Sequence, residues 1–136
     1  MVRLGLVVSL YNKETPVTHQ MAESARAAAS ARDAEIVDTI EVPGVYETPL
    51  AADRLARRED VEAVAVLGAI VTGDTDHDQA IGHAAAQQIS QVSLDRDTPV
   101  TLGITGPGQS AAEAAERTDK GAEAVDSAID MVETLA

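Results

Sequence analysis

Apolar positions fall into four near-continuous runs separated by segments of helical period. Arg3 to Leu10 is the first run, closing on Tyr11-Asn12, and suits a strand buried on both faces. Thr15-Pro16 supplies an N-cap and a first-turn proline, and the alanine-dense stretch Met21 to Ala31 predicts a helix to about Ala31. Ala34 to Val42 alternates and is β-branched, which predicts a second strand, and Pro43-Gly44 breaks it. Thr48 to Arg58 sets Leu50, Ala51 and Leu55 at helical spacing. Val61 to Val71 is the third apolar run. Thr72-Gly73-Asp74-Thr75 then forms a turn-and-cap cluster that opens a helix to about Val92. Pro99 to Thr105 is a short fourth strand and Gly106-Pro107-Gly108 a turn. Ser110 to Leu135 reads as one amphipathic terminal helix.

This fourfold strand–helix alternation predicts an α/β fold. Buried strands joined by helices imply a parallel sheet with helices on both faces, three layers in all. Right-handed crossovers make 2-1-3-4 the most economical strand order. The 136 residues suffice for one core, and no linker or low-complexity tract divides them, so a single domain over 1–136 is expected.

Composition narrows the function. No run is long enough to cross a bilayer, and the chain opens without a signal-like segment, which makes the cytoplasm the expected location. There is no cysteine for a disulfide or thiolate site. A formal charge of −13, with ten Lys and Arg against 23 acids, disfavours nucleic acid as a partner. Such acidity resembles that of proteins working in concentrated salt. At about 1 M the Debye length is roughly 3 Å, and the self-repulsion largely disappears.

Ligands of an open parallel sheet bind beyond the carboxyl ends of its strands. Four clusters occupy those places: Tyr11-Asn12, Val42 to Glu47, Ala69 to His77, and Leu102 to Gly108. The chain's two tyrosines, Tyr11 and Tyr46, both fall there and together suggest a stacking site, although either alone could be an ordinary amphipathic edge residue. Gly73-Asp74-Thr75 would offer free backbone N–H groups at a helix start, a physical basis for holding phosphate that an ordinary capped turn shares. Arg117 could add positive charge. His77, beside that turn, can exchange protons near neutrality. His19 and His83 lie within helices. Asp74, Asp76 and Asp78 with His77 also admit a divalent metal, but no second histidine stands at helical spacing. Gly106-Pro107-Gly108-Gln109-Ser110-Ala111 imitates a dinucleotide fingerprint in the wrong unit, with no second strand and acidic residue after it.

As an ordered set these clusters resemble the lumazine synthases, in particular the archaeal ones. Tyr11-Asn12 is similar to that family's aromatic-Asn pair. Val42-Pro43-Gly44-Val45-Tyr46-Glu47-Thr48-Pro49 resembles its second motif, and Val66 through His77 its third. The likeness continues through Pro99 to Ile104, Glu116-Arg117 and Lys120-Gly121. It implies a flavodoxin-like domain that condenses 5-amino-6-(D-ribitylamino)uracil with 3,4-dihydroxy-2-butanone 4-phosphate to 6,7-dimethyl-8-ribityllumazine, in riboflavin biosynthesis, with no metal or cofactor. It further implies that Tyr11 stacks on the pyrimidine and that Val45, Tyr46 and Glu47 hold the ring and ribityl chain. Ala69, Ile70, Val71 and Leu102 would complete that pocket. Asp74, Thr75 and Arg117 would bind phosphate, and His77 would be the general acid–base. A homo-oligomer is implied, a pentamer or a shell of pentamers, with Leu102 and Arg117 reaching a neighbour's site.

The chain departs from the family in having Tyr where Phe or Trp is common, Leu102 where Phe is frequent, and a short loop between Arg117 and Lys120. Two other functions compete on the same scaffold: the archaeal type of riboflavin synthase, and a non-catalytic lumazine or flavin binder. A flavodoxin-like electron carrier would need a hydroxyl-rich phosphate loop after the first strand, which Tyr11-Asn12-Lys13-Glu14 is not.

Overall fold

The computed structural model describes residues 1–10, 17–72 and 77–136. Four strands, β1 (Arg3–Ser9), β2 (Glu35–Val42), β3 (Ala63–Ala69) and β4 (Val100–Thr105), form one parallel sheet in the order β2-β1-β3-β4. This is the expected 2-1-3-4 order. The helices are α1 (Val17–Ala31), α2 (Thr48–Ala56), α3 (His77–Arg96), α4 (Ala111–Ala115) and α5 (Lys120–Leu135), and a single 3-10 turn spans Val45–Glu47.

Alternation along the central strands divides the core in two. Leu4, Leu6 and Val8 of β1 and Ala63, Ala65 and Leu67 of β3 meet Met21, Ala25, Val125 and Ile129 of α1 and α5. Val7, Val64 and Val66 face the other way, onto Ala52 and Leu55 of α2 and Ile89 of α3. Because both faces are covered, β1 and β3 are buried almost throughout, which is why they read as unbroken apolar runs. With no Phe or Trp to fill space, the gap is closed by bringing backbones together. A side chain on Gly103 would strike Ala124 and Leu67, and one on Gly121 would collide with the carbonyl oxygen of Met21.

The terminal helix differs from expectation. Instead of one helix over Ser110 to Leu135 there are two, α4 and α5, separated at Glu116–Asp119. Periodicity along Ser110 to Leu135 does not show the break, and one group that holds the second helix comes from α1. Ser24 Oγ lies 2.8 Å from the carbonyl oxygen of Thr118 and accepts from the Ala122 N–H at 3.1 Å. It thus satisfies an orphan donor at the start of α5, where the N-cap residue Asp119 makes no side-chain cap. Ser110 caps α4 through a reciprocal box with Glu113. The α3 helix extends to Arg96, one turn beyond the expected end near Val92.

Arg96 closes on Asp53 of α2 at 2.8 Å, tying together the two helices of one face. This hydrogen bond is the largest influence lowering the Asp53 pKa, with the charges of Arg96 and Arg57 adding to it. A carboxylate lowered in the folded state contributes stability above its unfolded pKa, and that contribution is lost as pH falls through the folded value. Asp53→Asn is therefore expected to lower stability near neutrality while flattening its decline below about pH 4. Urea midpoints measured from pH 7 to pH 2.5 in constant salt check this. Parallel curves for the two proteins would contradict it.

Candidate active site at the carboxyl ends of the strands

Three connections meet beyond the sheet. After β2, Pro43-Gly44 ends the strand and Val45–Glu47 turns directly into α2, with the Thr48 hydroxyl donating to the carbonyl oxygen of Val45 at 2.7 Å. After β3, Ile70 N–H donates to the carbonyl oxygen of Thr105 and Thr72 N–H to that of Gln109, both at 2.8 Å. The ends of β3 and β4 are thereby zipped past the sheet itself. Val45, Ile70 and Ala85 form a small buried cluster on which Ile81 and Ile104 also pack. Gly82 admits Pro107 closely, at 3.1 Å from where a side chain would begin. The β2, β3 and β4 connections and the first turns of α3 are thus one packed unit.

His77 is the first residue of α3 and is exposed. It stands four residues before Ile81, hence on the same helix face and one turn nearer the site. Val45 is buried in the cluster with Ile70 and Ala85, whereas Tyr46, 65% exposed, and Glu47 are open to solvent. Ala69 and Ile70 are buried at the end of β3, and Val71 is half-buried. Tyr11, Asp74 and Thr75 lie outside the described residues. The alternative metal reading at Asp74, Asp76, Asp78 and His77 also falls partly outside them. Among the described residues no group of three or more His, Asp or Glu could hold a metal ion.

Leu102 is not brought to this cluster within the chain. It sits between Val100 and Ile104 on the edge strand β4, opposite Val66 and 45% exposed, roughly 10 Å back from the strand end at about 3.3 Å per residue. Arg117 follows α4, and its Nη1 donates to Gln109 Oε1 at 2.7 Å, while its Nη2 lies 3.5 Å from Glu113. The Glu113 pKa is lowered, first by the Ser110 backbone N–H and then by the Ser110 side chain, with the Arg117 charge a smaller influence. Gln109, which in the sequence stands only within the look-alike of a dinucleotide fingerprint, is buried, 1% exposed. A lone polar residue in a turn carries no periodic signal of burial.

Over residues 1–136 the chain matches the sequence profile of the family described as 6,7-dimethyl-8-ribityllumazine synthase. The chain belongs to that family. A 6,7-dimethyl-8-ribityllumazine synthase of Halorubrum lacusprofundi is 64% identical over 135 residues, covering 99% of both proteins. One from Halobacterium salinarum is 59% identical over 99% of this chain and 100% of that protein. One from Methanopyrus kandleri is 45% identical over 98% of this chain and 94% of that protein. The activity that goes with the family is lumazine synthase, a transferase reaction of riboflavin biosynthesis. Two of these relatives come from halophiles, in keeping with the acidic composition.

Proposed function

We propose that the carboxyl-end cluster carries out this condensation with the following division of labour. Tyr11 stacks on the pyrimidine of 5-amino-6-(D-ribitylamino)uracil, and Tyr46 and Glu47 bind its ring and ribityl hydroxyls over the floor made by Val45. Ala69, Ile70 and Val71 line the same pocket, and Leu102 completes it from a second copy of the chain. Asp74 and Thr75, together with Arg117 from a neighbouring copy of the chain, bind the phosphate of 3,4-dihydroxy-2-butanone 4-phosphate. His77 moves protons as the 5-amino group condenses with the ketone and one water is lost, phosphate is eliminated to leave a new carbonyl, and the ribitylamino nitrogen closes on that carbonyl with loss of a second water. The packing of Val45, Ile70 and Ile81 carries this reading, since it gathers the turn before α2, the end of β3 and the His77 end of α3 in one place.

Holding two substrates in register can supply several kcal/mol of the rate enhancement, and general acid–base help adds roughly a hundredfold or more. A homo-oligomer, a pentamer or a shell of pentamers, with sites shared between copies, and a cytoplasmic location complete the reading. The displaced position of Leu102 supports the sharing. So does α3, twenty residues long with only Ala85 and Ile89 buried. Among the described residues no helix is long and apolar enough to cross a membrane.

The test is absorbance-monitored turnover of both substrates in concentrated salt, with the product identified by mass. Glu47→Ala is expected to raise the KM for the pyrimidine about tenfold or more and leave that for the sugar phosphate nearly unchanged, as removal of a charged hydrogen-bond partner would. The reverse pattern would overturn the assignment. Conversion of lumazine to riboflavin, or binding with no turnover, would overturn the reaction itself.

A further inference from the structure

Gln109 is a buried polar side chain in direct contact with Arg117, and the proposed reaction does not use it directly. Both ends of its amide are committed. Nε2–H donates to Thr105 Oγ1 at 2.8 Å, and Oε1 accepts from Arg117 Nη1 at 2.7 Å. The orientation of the amide is fixed by chemistry, because a guanidinium can only donate and must therefore face the oxygen. The main-chain carbonyl of the same residue accepts from Thr72 N–H, so Gln109 also holds the segment leaving β3. Arg117, by contrast, is a long side chain, 48% exposed, on the loop after a five-residue helix. Its nearest alternative partner is the carboxylate of Glu113, already within 3.5 Å in an i,i+4 arrangement that would draw the guanidinium onto the surface of α4.

We infer that Gln109 is a positioning residue: its buried amide oxygen fixes Nη1 of Arg117 at 2.7 Å and limits the guanidinium to a long 3.5 Å contact with Glu113 through Nη2, so that a phosphate meets an oriented fork. The inference rests on the reading of Arg117 as a phosphate ligand and adds what makes it one. An arginine anchored beforehand loses less rotational freedom on binding, and a neutral amide anchors it without cancelling its charge, as a carboxylate would. A phosphate or phosphate monoester is the chemical class that such a group recognises.

The experiment uses the intact enzyme and inorganic phosphate as a competitive inhibitor, alongside the KM for each substrate. Gln109→Met keeps the side-chain volume and removes both hydrogen bonds. It is expected to weaken phosphate inhibition and raise the sugar-phosphate KM by about five- to thirtyfold, with the pyrimidine KM within twofold of the parent. In an Arg117→Ala background the same change is expected to do nothing more to phosphate. Equal losses for both substrates, or additive losses in the double variant, would mean a structural role and overturn the inference. If Arg117→Ala weakens phosphate but Gln109→Met does not, the inference fails alone. If Arg117→Ala leaves phosphate untouched, the underlying ligand assignment fails first. Should Gln109→Met not fold, Thr105→Val frees the other end of the amide and is expected to give a smaller loss confined to phosphate. No loss there would also overturn the inference.

Discussion

Turnover of the His77→Ala enzyme is expected to fall about a hundredfold and to remain measurable. Proton transfer by a well-placed side chain is worth roughly 10²–10⁴ in rate, whereas alignment of two reactants can be worth several kcal/mol more. His77 stands at the exposed start of α3, one turn from Ile81, and the packing of Val45, Ile70, Ala85 and Ile104 beneath does not involve it. That apolar cluster is made by other residues, so the fold is expected to survive the substitution, and water can carry protons slowly in place of His77. Steady-state rates with both substrates saturating, together with an unchanged melting temperature, check this. A folded variant with no residual activity would show that His77 does more than move protons. A variant as fast as the parent would show that it does less.

The second large effect is on stability. Gly121 lies in the first turn of α5 where that helix touches α1, and a methyl group there would collide with the carbonyl oxygen of Met21 and sit 2.7 Å from Ser24 Oγ. Helix propensity alone favours alanine over glycine by about 1 kcal/mol. The collision is with backbone, which cannot rotate aside, so α5 must lift from α1. Ser24 then loses its contacts to Thr118 and Ala122, and Val125 and Ile129 withdraw from the core. Overpacking of this kind costs about 1–3 kcal/mol beyond any gain in propensity, and the Ser24 bonds add to it. Gly121→Ala is expected to lower the melting temperature by roughly 5–15 °C, taking about 3–6 °C per kcal/mol for a domain of this size. Calorimetry in molar potassium chloride measures it. An equal or higher melting temperature would mean that the helices do not approach as closely as the structure has them.

How much of this was legible beforehand depends on the range of the forces involved. Burial on both faces makes β1 and β3 continuous apolar runs, so the strands, their alternation with helices and the 2-1-3-4 order follow from the chain read locally with the handedness of crossovers. The same local reading places Tyr46, Glu47, Ile70 and His77 near one another, since every residue just after a parallel strand arrives at the same end of the sheet. The order of the motifs along the chain was enough to point to the family. Periodicity did not show that the terminal segment is two helices, although the likeness to the family put a short loop between Arg117 and Lys120; a bond that holds the start of α5 comes from Ser24, almost a hundred residues earlier. Nor could periodicity show that Val45 is buried while Tyr46 is surface, or that Leu102 lies within the edge strand and not at its end. Those depend on which side of a turn or edge strand meets a neighbouring element. Gln109 makes the same point most sharply: in sequence it is a polar residue in a glycine turn, and only tertiary packing buries it between Thr105 and Arg117. Patterns of period two and 3.6 determine which elements form and where the strands end. Contacts between residues distant in sequence decide which polar groups are buried together, because the chain itself records no period for them.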